Sequence, residues 1–220
     1  MSLHSLKARL TERLHSPESW RPDADAERSD FDLNPGLRPG SDPLRPAAVL
    51  VPVIAHALGA TVLLTRRADT LTNHSGQIAF PGGLRDPGET AVQTALREAN
   101  EEVGLDPTAV EVLGIMPAYR TGTGFLITPV VGWIAEAPSV KAQPGEVADL
   151  FEVPWDFLMN VANHRRDHLD PPTGPRRWFW AMPFQERYIW GVTAGMIRAL
   201  HDRLYEAEPD PDAATAEDAA

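Results

Sequence analysis

The chain has 220 residues, 43% of them apolar, which allows one domain with a sizeable core or two small ones. Its formal net charge of −11 and its lack of cysteine argue against nucleic-acid binding and an anionic membrane surface, and they remove disulfides and thiol catalysis. The opening MSLHSLKARL lacks the apolar core of a signal peptide and the apolar run 47–55 is too short to span a bilayer, so a cytoplasmic protein is expected.

In chain order, Leu3, Leu6, Leu10 and Leu14 recur at helical spacing and predict a short amphipathic helix. Residues 17–46 are rich in Pro, Asp and Arg and read as an irregular connection. A connection of that length either wraps the domain or belongs to an interface or a site. Residues 47–56 and 60–66 are apolar, β-branched runs split by Leu58-Gly59, a hairpin. Residues 73–83 form a glycine-containing approach to the next helix, with Ile78-Ala79-Phe80 extended. Strands are expected over 109–119 and 125–135, with Pro129 marking an edge or a bulge. A short helix follows over 154–160, a strand over 177–182 and a closing helix over 192–205. The expected division is 1–46 as N-terminal helix and irregular connection, 47–205 as the main domain, and 206–220 as a disordered acidic tail. Strands and helices mixed in one unit point to an α/β or α+β layered domain.

Residues 83–105, GLRDPGETAVQTALREANEEVGL, carry the chemistry. On a helix Glu98, Glu101 and Glu102 share an arc of about 100°, with Val92, Ala95, Leu96, Ala99 and Val103 on a separate face. Like charges at this spacing, in the last turn of a helix, cost about 0.2–0.5 kcal/mol per pair. A hard divalent cation held by oxygen ligands would offset that cost. A solvated acidic face in an acidic protein reads the same residues blandly.

The full spacing resembles the box of the Nudix hydrolases, G-x5-E-x7-R-E-U-x-E-E-x-G-U, with U apolar. Gly83, Glu89, Arg97, Glu98, Glu101, Glu102, Gly104 and Leu105 fill the fixed slots, and Ala99 is a small residue at the first U. The resemblance implies an α/β/α sandwich with a mixed β-sheet. It also implies hydrolysis of a nucleoside diphosphate linked to a variable group. Glu98, Glu101 and Glu102 would be metal roles for Mg²⁺ or Mn²⁺, with Glu101 also a catalytic candidate. A carbonyl of Gly82 or Gly83 would add a ligand, since glycine lets the backbone approach closely. Glu89 and Arg97 would be an ion pair bracing the loop against the helix. Eight residues of straight helix separate two positions by about 12 Å, so Glu89 must lie where Asp86-Pro87-Gly88 folds the loop back. Glu146, in Pro144-Gly145-Glu146-Val147, is either the catalytic glutamate that many Nudix enzymes draw from this point of the chain or an ordinary surface residue.

Upstream, residues 63–83 read LLTRRADTLTNHSGQIAFPGG. This is similar to the signature of the coenzyme A pyrophosphatase branch, L-L-T-x-R-[SA]-x3-R-x3-G-x-[IV]-x-F-P-G-G, except that Thr72 replaces the second arginine. Further stretches at 128–132, 146–154 and 189–194 are similar to the same branch. It implies cleavage of coenzyme A or its thioesters to (acyl-)4′-phosphopantetheine and adenosine 3′,5′-bisphosphate. Arg67, His74 and Gln77 are the expected substrate contacts, with Arg67 near the 3′-phosphate; a lone loop histidine such as His74 is also commonly just hydrogen-bonded. Trp178, Trp180 and Trp190 read as core packing or a hydrophobic rim. Thr72 keeps another nucleotide substrate open, such as ADP-ribose or NADH. A non-catalytic nucleotide-binding domain is disfavoured because every carboxylate of the box is present. The expected partner is a nucleotide-type small molecule, and the sequence leaves the oligomeric state open.

Overall fold

The computed structural model describes residues 1–21, 26–37, 43–68 and 76–205. Thr72, His74 and the tail 206–220 lie outside the described residues. Helix α1 (Leu3–Arg13) precedes β1 (Arg28–Ser29), β2 (Arg45–His56), β3 (Gly59–Arg67), β4 (Ile78–Ala79) and β5 (Gly82–Leu84). Then come α2 (Ala91–Val103), β6 (Glu111–Ile115), β7 (Tyr119–Arg120), β8 (Phe125–Ile134), β9 (Val147–Pro154) and α3 (Trp155–Leu158). The chain closes with β10 (Arg165–Leu169), β11 (Arg177–Phe184), β12 (Arg187–Trp190) and α4 (Val192–Tyr205).

Nine strands form a mixed sheet with the backbone order β1-β7-β8-β2-β3-β4, and β5, β6 and β9 pair with β2, β8 and β3. The expected hairpin is β2 and β3, antiparallel from Val53↔Val62 to His56↔Gly59, with Leu58 fully exposed at the turn. Its Gly59 has φ +141, a conformation that other residues rarely adopt. Along β2 alternate side chains enter two separate cores. Val49, Val51 and Val53 join the cluster that holds α1 and α4, while Ala48, Leu50 and Ile54 join the cluster that holds α2. The sheet is therefore sandwiched between helices, an α/β/α arrangement. A second, antiparallel sheet of β10, β11 and β12 packs against α4.

Pro129 is neither on an edge strand nor in a bulge. It sits in the central strand β8, opposite Val49 of β2. On its other side the neighbour changes, from β7 opposite Ile127 to β6 opposite Val130. The Pro129 carbonyl accepts from the Met116 N–H there at 2.9 Å, and the break between the two short strands tolerates the missing donor. Among the described residues no helix is long and apolar enough to cross a membrane.

Candidate active site

Helix α2 is fixed at both ends by its own sequence. Thr90 and Gln93 form a reciprocal capping box, and Gly104 ends the helix in the left-handed region at φ 66. Ala91, Ala95, Ala99 and Val103 are buried on the sheet, and three alanines on that face let the helix sit close to β2. Strand β5 then passes directly beneath the carboxylates. The Gly82 N–H donates to Glu102 Oε2 at 3.1 Å, and a Cβ at Gly83 would stand 2.6 Å from the Glu98 carboxylate carbon. A Cβ at Gly82 would meet the Ala48 carbonyl oxygen at 2.4 Å. At Gly82 the obstacle is backbone and demands glycine, whereas at Gly83 it is the end of the Glu98 side chain, which a larger residue would push aside.

Arg97 ties the loop to the helix. Its Nε and Nη2 donate to Glu89 Oε1 and Oε2 at 2.7 and 3.0 Å, a two-pronged pair. Glu89 also accepts from Thr94 Oγ1 at 2.8 Å and from the Asp86 N–H at 3.1 Å. The guanidinium first, and the Thr94 hydroxyl second, hold the Glu89 carboxyl down to about 2. Arg97 Nη1 reaches the cluster itself, donating to Glu98 Oε1 at 2.8 Å and Glu101 Oε2 at 3.1 Å. From the sequence a divalent cation is the group expected to offset the repulsion in this cluster. Arg97 in fact offsets part of it at Glu98 and Glu101, and leaves Glu102 aside.

Glu102 is the strained member, only 4% exposed. Burial first, then the charges of Glu98 and Glu146, push its carboxyl up to about 7 against the opposing Gly82 N–H and Arg67. Burial also raises Glu98. The Glu146 loop reaches this place because the Gln143 N–H donates to the Glu102 carbonyl at 2.9 Å and the Ala68 N–H to the Glu146 carbonyl at 2.8 Å. Glu146 itself is exposed. Arg67 Nη1 stands 3.8 Å from Glu102 Oε1, so Arg67 lies at the carboxylate end of the site. Its Nε is buried with no hydrogen-bond partner among the described residues.

Among the described residues no three His, Asp or Glu side chains already converge as a cation cage. The donor set nevertheless has the chemistry of a hard cation site. A buried carboxylate with a single backbone donor, a second beside it, and a glycine whose missing side chain leaves room for that second carboxylate against the main chain offer oxygen ligands, which suit Mg²⁺ or Mn²⁺.

The carboxylate end opens into a pocket of ≈730 Å³ that Arg67, Gln77, Gly82 and Gly83 help to line. Its far wall comes from residues 29–37 and from β11, β12 and the start of α4. Trp178, Trp180 and Trp190 line it; Trp178 is 39% exposed, and Trp180 packs partly against the core. The contribution of Phe31 and Asn34 was missed from sequence, where the length of the 17–46 connection was the sole signal.

Comparison with known proteins gives a consistent family. The model of the NUDIX domain matches residues 44–170. A protein of Pectobacterium atrosepticum, named uncharacterized Nudix hydrolase NudL, is 41% identical over 174 residues, covering 79% of this chain and 89% of that one. The protein of the same name from Photorhabdus laumondii is 39% identical over 179 residues, covering 80% and 94%. Among solved structures, the Nudix hydrolase RenU of M. smegmatis is 29% identical with a TM-score of 0.46, over 52% of this chain and 73% of that one. The chain belongs to the Nudix hydrolase family, enzymes that act on pyrophosphate bonds and generally use divalent metal ions.

Proposed function

We propose that this chain is a metal-dependent diphosphatase of coenzyme A or acyl-coenzyme A, releasing (acyl-)4′-phosphopantetheine and adenosine 3′,5′-bisphosphate. The observation that carries the reading is the pair Glu98 and Glu102 set against Gly82 and Gly83, two residues that line the pocket, together with a signature that departs from the coenzyme A branch only at Thr72. Glu98 and Glu102, with the Gly83 carbonyl, would hold Mg²⁺ or Mn²⁺, and Glu101 is a further metal candidate. The cation would neutralise phosphoryl charge and acidify a bound water.

The chain's own groups divide the remaining work. Glu101 is held by Arg97 at 3.1 Å, which leaves Glu146, whose charge is felt at both Glu98 and Glu102, as the general base. Glu89 and Arg97 brace the loop that carries Gly83. Arg67, within 3.8 Å of Glu102, is better placed for a diphosphate oxygen than for the 3′-phosphate. Gln77 lines the same pocket and remains a substrate contact; His74 is carried by the signature alone. The protein is expected to act in the cytoplasm.

Thr72 favours one alternative, another nucleoside diphosphate derivative such as ADP-ribose or NADH. The test is hydrolysis of coenzyme A, acetyl-coenzyme A, ADP-ribose and NADH with products weighed by mass spectrometry. Release of adenosine 3′,5′-bisphosphate with the highest kcat/KM on a coenzyme A compound supports the proposal. Faster turnover of ADP-ribose or NADH overturns it.

A further inference from the structure

The loop that carries Glu146 is held to the end of the carboxylate helix by main-chain bonds. Gly104 closes α2 on the Asn100 carbonyl, and the carbonyls of Glu102 and Val103 lie in the last turn, beyond the helix's own amides. The loop fills that gap. The Lys141 N–H donates to the Val103 carbonyl and the Gln143 N–H to the Glu102 carbonyl, each at 2.9 Å. The Gln143 carbonyl in turn accepts from the Glu146 N–H at 3.0 Å and the Val147 N–H at 2.9 Å, closing a turn with Pro144 at its second position. The far side of the turn is tied to the end of β3, where the Ala68 N–H donates to the Glu146 carbonyl at 2.8 Å and Arg67 pairs with Val147. Side-chain packing does little here, since Lys141, Gln143, Pro144 and Gly145 are exposed. Glu102 therefore serves both parts at once: its carboxylate accepts from the Gly82 N–H and its carbonyl from the Gln143 N–H.

We infer that Gln143 is the positioning residue for Glu146: its main-chain N–H and carbonyl latch the loop to α2, so that the Glu146 carboxylate and the Glu98–Glu102 pair keep one fixed spacing. This role rests on the proposed function only for Glu146 as the base. A carboxylate on a free exposed loop would sample many positions, and misplacing a catalytic group by about 1 Å can cost roughly a hundredfold in rate. The charge of Glu146 is felt at both Glu98 and Glu102, as a loop held over the helix end requires. Because the latch is main chain, it tolerates any side chain at 143 and fails only where the N–H is lost.

The experiment measures kcat and KM of the whole protein, with Mg²⁺, on coenzyme A and on ADP-ribose, and takes the ratios on whichever is cleaved. Gln143→Pro removes the donor to the Glu102 carbonyl and keeps the carbonyl of residue 143; it should lower kcat by about tenfold or more with KM changed less than about twofold. Gln143→Ala keeps both bonds and should keep most of the turnover. In a Glu146→Gln background, Q143P should remove less than about a further twofold, because it acts through Glu146. Glu146→Asp, an exposed change that leaves the fold alone, should also lose about tenfold or more, since a latched loop cannot advance to make up the missing methylene. Amide exchange of the metal-free protein should show the Glu146 and Val147 amides faster in Q143P while those of β8 stay slow, which separates local release from unfolding. If β8 is released too, Glu146→Asp decides. A large loss in E146Q, with an equal loss from Q143P in both backgrounds or parent-like turnover of E146D, overturns the latch and leaves Glu146 as the base. Parent-like turnover of E146Q refutes the base and strips the latch of any catalytic role. If neither substrate is cleaved the proposed function fails, and unchanged exchange at Glu146 and Val147 in Q143P would overturn the latch as well.

Discussion

Replacing Glu102 by glutamine should stabilise the metal-free protein at alkaline pH while destroying its activity. The carboxyl is raised from 4.5 to about 7 in the folded chain. At about 1.4 kcal/mol per unit, ionising it there costs at most roughly 3 kcal/mol, and relaxation of the site brings the expected value to about 1–3 kcal/mol. The sign follows from the direction of the shift. Between 4.5 and about 7 the folded chain binds a proton that the unfolded chain has lost, so stability falls as pH rises across that window and is level above it. Glutamine stays neutral, keeps an oxygen for the Gly82 N–H, and leaves Arg67 solvated at 32% exposure. Urea unfolding in the presence of EDTA should therefore give matching stabilities near pH 4.5 and a gain for E102Q that grows to its full size by pH 8. A variant less stable than the parent at pH 8 without metal, or a difference that ignores pH, would refute the argument.

The remaining expectations use the same geometry. Gly83→Ala should cut kcat by about tenfold or more with little change in melting, because its Cβ displaces only the Glu98 carboxylate, whereas Gly82→Ala should cost about 1–3 kcal/mol of stability by colliding with the Ala48 backbone. Arg97→Lys loses the two-pronged contact to Glu89 and should lower stability by about 1–3 kcal/mol and kcat with it, measured by urea unfolding and steady-state kinetics. The stability that Glu89 contributes is complete above 4.5 and lost as pH falls toward about 2, so the advantage of the parent over E89Q in urea midpoint should shrink through that range. Glu98→Gln should lose at least about a hundredfold in kcat with the fold intact, checked by turnover and circular dichroism.

The elements that the sequence revealed are those whose signals are local. The β2–β3 hairpin announces itself through two β-branched runs and a glycine, and α2 through its apolar stripe and its fixed acidic spacing. What stayed hidden depends on distant partners. Strand β10, Arg165–Leu169, is exposed at every position and has no apolar alternation to read; only its pairing with β11 makes it a strand. Pro129 was misplaced because the rule that bars proline from central strands does not know where a neighbouring strand ends. Asn34 could not be joined to Trp178 by any sequence pattern, whereas the Arg97–Glu101 contact is an i,i+4 pair that the helical spacing already offered.

The long parallel pairing of β2 with β8 has a kinetic meaning. Its partners run from Arg45 with Phe125 to Ile54 with Ile134, about eighty positions apart in the chain. No hairpin can nucleate such a pair, so the central sheet closes late and only around everything between, α2 and the glycine strand included. The carboxylate helix is therefore enclosed in the same cooperative unit as the sheet. Its amides should exchange with deuterium at the rate of global unfolding, and a partly folded chain should have no means of presenting the acidic cluster to a passing cation.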